Sequence, residues 1–120
     1  MQTLLIRPRK TQLETTAILQ PQGSLTNNSV TWFIHQVNAA VMSEKHFSVV
    51  IDMNQVDSID SAGLMAIVNA MKLAQRANKR FCLCSVPRSV SMILELTQLD
   101  GVLEIFESIS ELDSIFEIAA

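Results

Sequence analysis

The stretch that most constrains this 120-residue chain is Phe47-Ser48-Val49-Val50-Ile51-Asp52-Met53, an almost continuous apolar run that is β-branched at its centre. A strand with strict polar–apolar alternation needs cover on one face only, whereas a run of this kind calls for burial on both. It marks a central strand in a sheet that other elements cover. The flanking sequence agrees, because short apolar runs take turns with longer stretches of helical period, the pattern of an α/β domain.

Leu4 to Arg7 and Thr15 to Leu19 predict two strands joined through the polar stretch Arg9 to Glu14, and Gln20-Pro21-Gln22-Gly23 ends the second. Pro21 has no backbone donor and belongs at a strand edge or end. Val30, Phe33, Ile34, Val37 and Val41 predict a first helix over Thr26–Ser43, with Ser24 or Thr26 as its cap. After the central strand, Asn54 to Ser61 is rich in turn and cap residues. Leu64, Ile67, Val68, Met71 and Ala74 then predict a second helix from Ser61 to about Asn78, a residue that tolerates the left-handed backbone closing many helices. Phe81 to Val86 reads as another buried strand. Pro87 stops it and opens a third helix, Arg88 to Leu99, with Val90, Ile93, Leu94 and Thr97 on one side. Asp100-Gly101 turns the chain into a short strand, Leu103 to Phe106, and Ser110 caps a final helix that turns Leu112, Ile115, Phe116 and Ile118 inward. The order is ββαβαβαβα: a mixed sheet of about five strands packed with about four helices, its N-terminal pair antiparallel and its later strands parallel. No linker or internal repeat interrupts it, so one domain over 1–120 is expected.

Composition excludes whole classes of function. A mean hydropathy of +0.27 rules out disorder. The longest apolar stretch, Ala62 to Val68, falls far short of the roughly 20 residues that cross a bilayer. With no leader pattern at the start and only Cys82 and Cys84 as thiols, the expected setting is the reducing cytoplasm. A net charge of −3 and 5% aromatics do not make a nucleic-acid binder. Charge is nonetheless uneven: five basic residues and no acid lie between Lys72 and Arg88, and seven acids with no Lys or Arg follow. Lys72, Arg76, Lys79 and Arg80 suit the C-terminal turns of a helix, where cations meet the negative end of the dipole. A docking role is the other reading.

Catalytic patterns fail one by one. Cys82 and Cys84 share a strand face, but no second pair completes a metal tetrahedron, and they read as small buried hydrophobes. His35 and His46 read as surface or boundary residues. The glycines at 23, 63 and 101 are too scattered for a phosphate cradle, and no G-x-S-x-G elbow occurs. Nothing brings Ser61, His35 and Asp60 together as a catalytic set. No catalytic residue, metal or cofactor is expected, and the chain is not expected to be an enzyme.

What remains is Asp57-Ser58-Ile59-Asp60-Ser61-Ala62-Gly63-Leu64, beyond the central strand. In open α/β folds function collects at the C-terminal ends of the strands. Two readings apply. Asp or Ser ahead of an apolar periodic run is an N-cap, with Ala62 and Gly63 letting the helix pack close. Alternatively, the same residues form a surface site.

The string Ile59-Asp60-Ser61-Ala62-Gly63-Leu64, following a strand centred on Val49-Val50-Ile51, resembles the Asp-Ser-[Ser/Thr/Ala]-Gly-[Leu/Ile] motif of the STAS domain family, the bacterial anti-sigma factor antagonists. Leu96-Thr97-Gln98-Leu99 with Leu103 to Phe106 is similar to that family's Leu-x-x-Thr-Gly-Leu segment and the strand after it. The resemblance spans essentially the whole chain. It implies an STAS-like fold in which Ser61 is the reversibly phosphorylated serine, with Ser58 a lesser candidate. Asp60, Ala62, Gly63 and Leu64 match the rest of the motif, and Thr26 and Met65 join the partner surface. Thr26 stands where many members carry an Asp, and Gln98 replaces the usual glycine. The partners implied are an anti-sigma factor with serine kinase activity and a serine phosphatase that restores the unmodified form. An alternative within the family is a scaffold in a larger signalling assembly, or a regulator of another partner. Homo-oligomers are compatible with either.

Physically, phosphorylation adds about −1.5 to −2 charges and three acceptor oxygens. A helix N-terminus accommodates them, so the domain survives, while a partner face next to Asp57 and Asp60 does not.

Overall fold

The computed structural model describes residues 3–8, 15–45 and 47–111, with side chains from residue 16 onward. Its main sheet has five strands: β1 (Thr3–Pro8), β2 (Thr15–Gln20), β4 (Ser48–Asp52), β6 (Arg80–Cys84) and β7 (Glu104–Phe106), adjacent in that order. β1 runs antiparallel to β2, and every later pairing is parallel. Between them come α1 (Val30–Met42), α2 (Ser61–Arg76) and α3 (Arg88–Leu96), and a 3-10 turn, Leu99–Gly101, precedes β7. The mixed α/β architecture expected of the sequence is present.

All five residues of β4 are buried, as its apolar run demands. Register then sorts the side chains by the period of two. Ala17, Leu19, Val49, Ile51, Phe81 and Leu83 join Phe33, Ile67, Val90 and Leu94 from the three helices in the larger core. Ile18, Val50, Cys82, Cys84 and Phe106 form a second cluster, against which Ile109 packs. Each large apolar side chain removed from water contributes about 1.5–3 kcal/mol, so the larger cluster dominates the driving force for folding. Phe47 lies just outside β4 and is 53% exposed.

The structure corrects several boundaries. The region from Gly23 to Leu25 is a strand, β3, and Val56 to Ile59 is another, β5, where turn and cap residues were expected. The two pair in parallel as a separate small sheet. Gly23, at φ +81°, admits the sharp change of direction that starts β3. Because Leu25 is taken by β3, α1 begins at Val30, not Thr26, and neither Ser24 nor Thr26 is its N-cap. Instead the backbone N–H groups of Ser29 and Val30 both donate to the Thr26 carbonyl, which makes a turn of those residues. The third helix ends at Leu96, and Thr97 is exposed, its hydroxyl donating to the Ile93 carbonyl at 2.8 Å.

Asn78 holds φ +58°, as expected for the close of α2. Gln98 holds φ +61°, a left-handed backbone at a residue less suited to it than glycine. At the C-terminal end, residues 109–111 are helical and Ser108 accepts from the Glu111 N–H at 3.2 Å. Ser108 therefore takes the cap position expected of Ser110. Leu112, Ile115, Phe116 and Ile118 lie outside the described residues, as does His46.

Candidate functional site

β5 ends at Ile59 and α2 starts at Ser61, with Asp60 between them as the N-cap. Beside this junction lies the end of β3, because Ser24 pairs with Ser58 and Leu25 with Ile59. The Asp60 N–H donates to the Leu25 carbonyl at 3.3 Å and continues the small sheet by one step.

That carbonyl explains Gly63. A Cβ on residue 63 would stand 2.1 Å from Leu25 O and 2.8 Å from Ile59 Cγ1, so the first turn of α2 approaches the β3 backbone more closely than any side chain allows. Glycine is required here for lack of volume and not for an unusual φ.

The Asp60 carboxylate makes two separate contacts. Oδ1 accepts from the Gly63 N–H at 2.9 Å, the bond of an N-cap, and Oδ2 accepts from the Asn27 N–H at 3.1 Å. One side chain thus ties the start of α2 to the turn that leads into α1. Both bonds favour the charged carboxylate, the Gly63 N–H most and the Asn27 N–H next, and hold its pKa below the ordinary 3.8. Asp60 is an anion at neutral pH.

Ser61 is the first residue of α2 and is exposed, and its hydroxyl has no hydrogen bond among the described residues. Ser58 is also exposed, but its hydroxyl is engaged, donating to Ser24 Oγ at 3.0 Å. Thr26 is half-buried and adjoins Asn27, so the Asp60 bridge brings it to the same end of the molecule as Ser61. Met65, one turn along α2 on the Ser61 side, is 52% exposed. Ala62 is half-buried, and Leu64 is half-buried with its side chain packed on the core. Asp57 is exposed, and its backbone carbonyl accepts from Ser89 Oγ at 3.3 Å, which links α3 to the same region. The N-cap reading and the surface-site reading of Asp60-Ser61 are therefore compatible: Asp60 caps, and the next residue is presented to solvent.

Sequence reasoning missed the part played by Asn27, which acts through its backbone N–H and carries no side-chain signal. It also missed the Ser24–Ser58 pair, which depends on β3 and β5 being neighbours. Elsewhere, Cys82 and Cys84 are buried on one sheet face, and burial raises the Cys82 thiol pKa well above its usual value, which keeps it protonated. His35 is exposed on α1. No group of three or more His, Cys, Asp and Glu that could hold a metal occurs among the described residues, and no described helix is long and apolar enough to cross a membrane.

A mixed, mostly parallel sheet with its helices on one principal core, and an exposed serine opening a capped helix after a strand, make an α/β domain of the STAS type. The family model for the STAS domain matches residues 7–112, and the chain belongs to that family. It is 31% identical over 94 residues to a candidate anti-sigma factor antagonist of Thermotoga maritima, an alignment covering 78% of this chain and 83% of that protein. The crystal structure of a candidate anti-sigma factor antagonist from Thermotoga maritima superposes with a TM-score of 0.79 at 25% identity, covering 98% of this chain and 95% of the other. The Bacillus cell fate determinant SpoIIAA, solved in its phosphorylated form, shares the fold with a TM-score of 0.68 at 14% identity over 94% of this chain and 99% of its own.

Proposed function

We propose that this protein is an anti-sigma factor antagonist in a partner-switching pathway of the cytoplasm. Unmodified, it binds an anti-sigma factor that has serine kinase activity. Phosphorylation on Ser61 releases it, and a serine phosphatase restores the binding form. In this reading the chain is the substrate of the modifying enzymes and carries out no catalysis of its own.

The observation that carries the reading is the contrast at the start of α2: the Ser61 hydroxyl is exposed and unbonded among the described residues, while its neighbour Asp60 is a fixed anion. A kinase needs the first property. The second makes the product hard for a partner to accept. A phosphate on Ser61 adds about −1.5 to −2 charges at pH 7 beside Asp60 and Asp57. Within the domain that charge stays hydrated and lies near the positive end of the α2 dipole. Against a partner it is desolvated next to two carboxylates, and like charges brought together at an interface cost several kcal/mol. Fold survival and loss of the complex follow from one modification. The names of the relatives and the existence of a phosphorylated fold neighbour support the same reading.

Pull-downs with the wild type, Ser61→Ala and Ser61→Asp, followed by ATP treatment of the captured kinase and mapping of the phosphate, test it. The expected result is capture of the kinase by wild type and Ser61→Ala, a loss of at least about tenfold for Ser61→Asp, and phosphate on Ser61. Retention of every wild-type partner by Ser61→Asp, with no phosphate on Ser61, sinks the proposal. Large assemblies captured equally by all three variants favour the scaffold reading.

A further inference from the structure

Between α1 and α2 lies a groove of about 230 Å³ that the Ser61 site does not use. Val37, Ala66 and Ala70 form its buried lining, with Leu73 half-buried beside them. The space exists because Ala66 and Ala70 present methyl groups one turn apart where longer side chains would have filled the interhelical gap. Its α2 wall runs from Ala66 to Arg76, about 15 Å at the rise of an α-helix. Asn69 lies along that wall, and Arg76 stands at its C-terminal end.

Arg76 is the charged residue among those lining the groove, and Lys72, one turn before it on α2, is a second cation without an ion pair among the described residues. Arg80 is paired with Glu104 and Arg88 with Glu95. Arg76 has no ion pair among the described residues, and neither helix offers one: Val30–Met42 contains no Asp or Glu, and nor does Ser61–Arg76. A cation in the last turn of a helix complements its dipole, but that does not require the guanidinium to line an apolar groove.

We propose that the α1–α2 groove binds a small carboxylate with an apolar tail, the carboxylate on the Arg76 guanidinium and the tail over Ala66 and Ala70. The planar guanidinium fork matches a carboxylate with two parallel hydrogen bonds. Arg76 is the one cation among the lining residues, and a single carboxylate is enough to balance it. The volume lies below the roughly 300–1,000 Å³ of sites for drug-sized molecules, so the ligand is small.

Titration of the full unphosphorylated chain with sodium octanoate below its micelle-forming concentration, followed by amide NMR, tests the proposal against neutral octanol. Saturable shifts are expected at Ile34, Ala70 and Arg76. Affinity is expected to fall by about tenfold or more for octanol, for Arg76→Gln, and for Asn69→Glu, which sets a charge beside the apolar tail. Ala70→Leu fills the groove and abolishes binding. Asn69 and Arg76 are exposed, so their variants test the site even if Ala70→Leu fails to fold. Equal affinity for wild type and Arg76→Gln overturns the proposal, as do shifts scattered over exposed Met42, Leu96 and Val102. Shifts at the groove produced by a protein partner, with none from octanoate, overturn it as well.

Discussion

The two sheets of this molecule divide the work. In the main sheet every residue of β4 is buried, and stability comes from apolar area shared with three helices. In the small sheet Leu25 and Val56 reach into the same core, but β5 exposes Asp57 and Ser58, and the pairing with β3 fixes the backbone groups around the start of α2. The first arrangement makes a rigid frame. The second uses that frame to hold one helix start, with its carboxylate and its serine, in a fixed relation to the turn before α1. A protein can thus keep its site polar and exposed, because the cost of exposure is met elsewhere.

Substitutions should separate the two roles. The largest loss belongs to the frame: Leu83→Ala, fully buried in β6, is expected to lower unfolding free energy by about 4 kcal/mol in urea titrations. Gly63→Ala comes next, at about 3 kcal/mol, since the new methyl meets the Leu25 carbonyl backbone and not a flexible side chain. A loss well under 1 kcal/mol there would show that the small sheet yields easily, and the comparison would break.

Asp60→Asn is expected to lower the urea midpoint by less than Gly63→Ala does, and to speed amide exchange at Asn27. Its effect depends on pH. The folded state holds the Asp60 pKa below 3.8, so the unfolded chain takes up the proton first as pH falls. The contribution of the carboxylate is complete above that value and fades as pH drops below it towards the folded pKa. The wild-type and Asp60→Asn midpoints should therefore converge in acid and stay apart at neutral pH. Ser61→Ala, at the other extreme, is expected to change stability by less than about 0.5 kcal/mol while removing the proposed phosphate acceptor, checked by urea titration and phosphate mapping.

How much of this was legible beforehand differs between the two sheets for a physical reason. β4 and β6 carry long apolar runs, and periodicity reports burial directly. β3 and β5 have three and four residues, hold Ser and Asp, and sit among turn signals, so local propensity points away from strand. The same neighbours moved the start of α1 from Thr26 to Val30. Asp60 was readable as a cap, because a cap is local in sequence. Its bond to Asn27 was not, because a backbone N–H has no residue-type signature and the pair is 33 positions apart. Ser110 was the cap expected from the sequence, and hydrogen-bond geometry puts Ser108 there instead.

The sequence by itself determined the α/β class, the central strand, the helix that begins at Ser61 and the motif that places the chain in its family, since all of these rest on local pattern and short spacing. Only the tertiary structure decided that β3 and β5 meet and that Gly63 is pressed against Leu25. Only it showed that Asp60 joins two elements and that Arg76 lines a groove opposite a helix without acids. Those features depend on contacts between residues far apart in the chain, and such contacts are set by how the apolar faces pack.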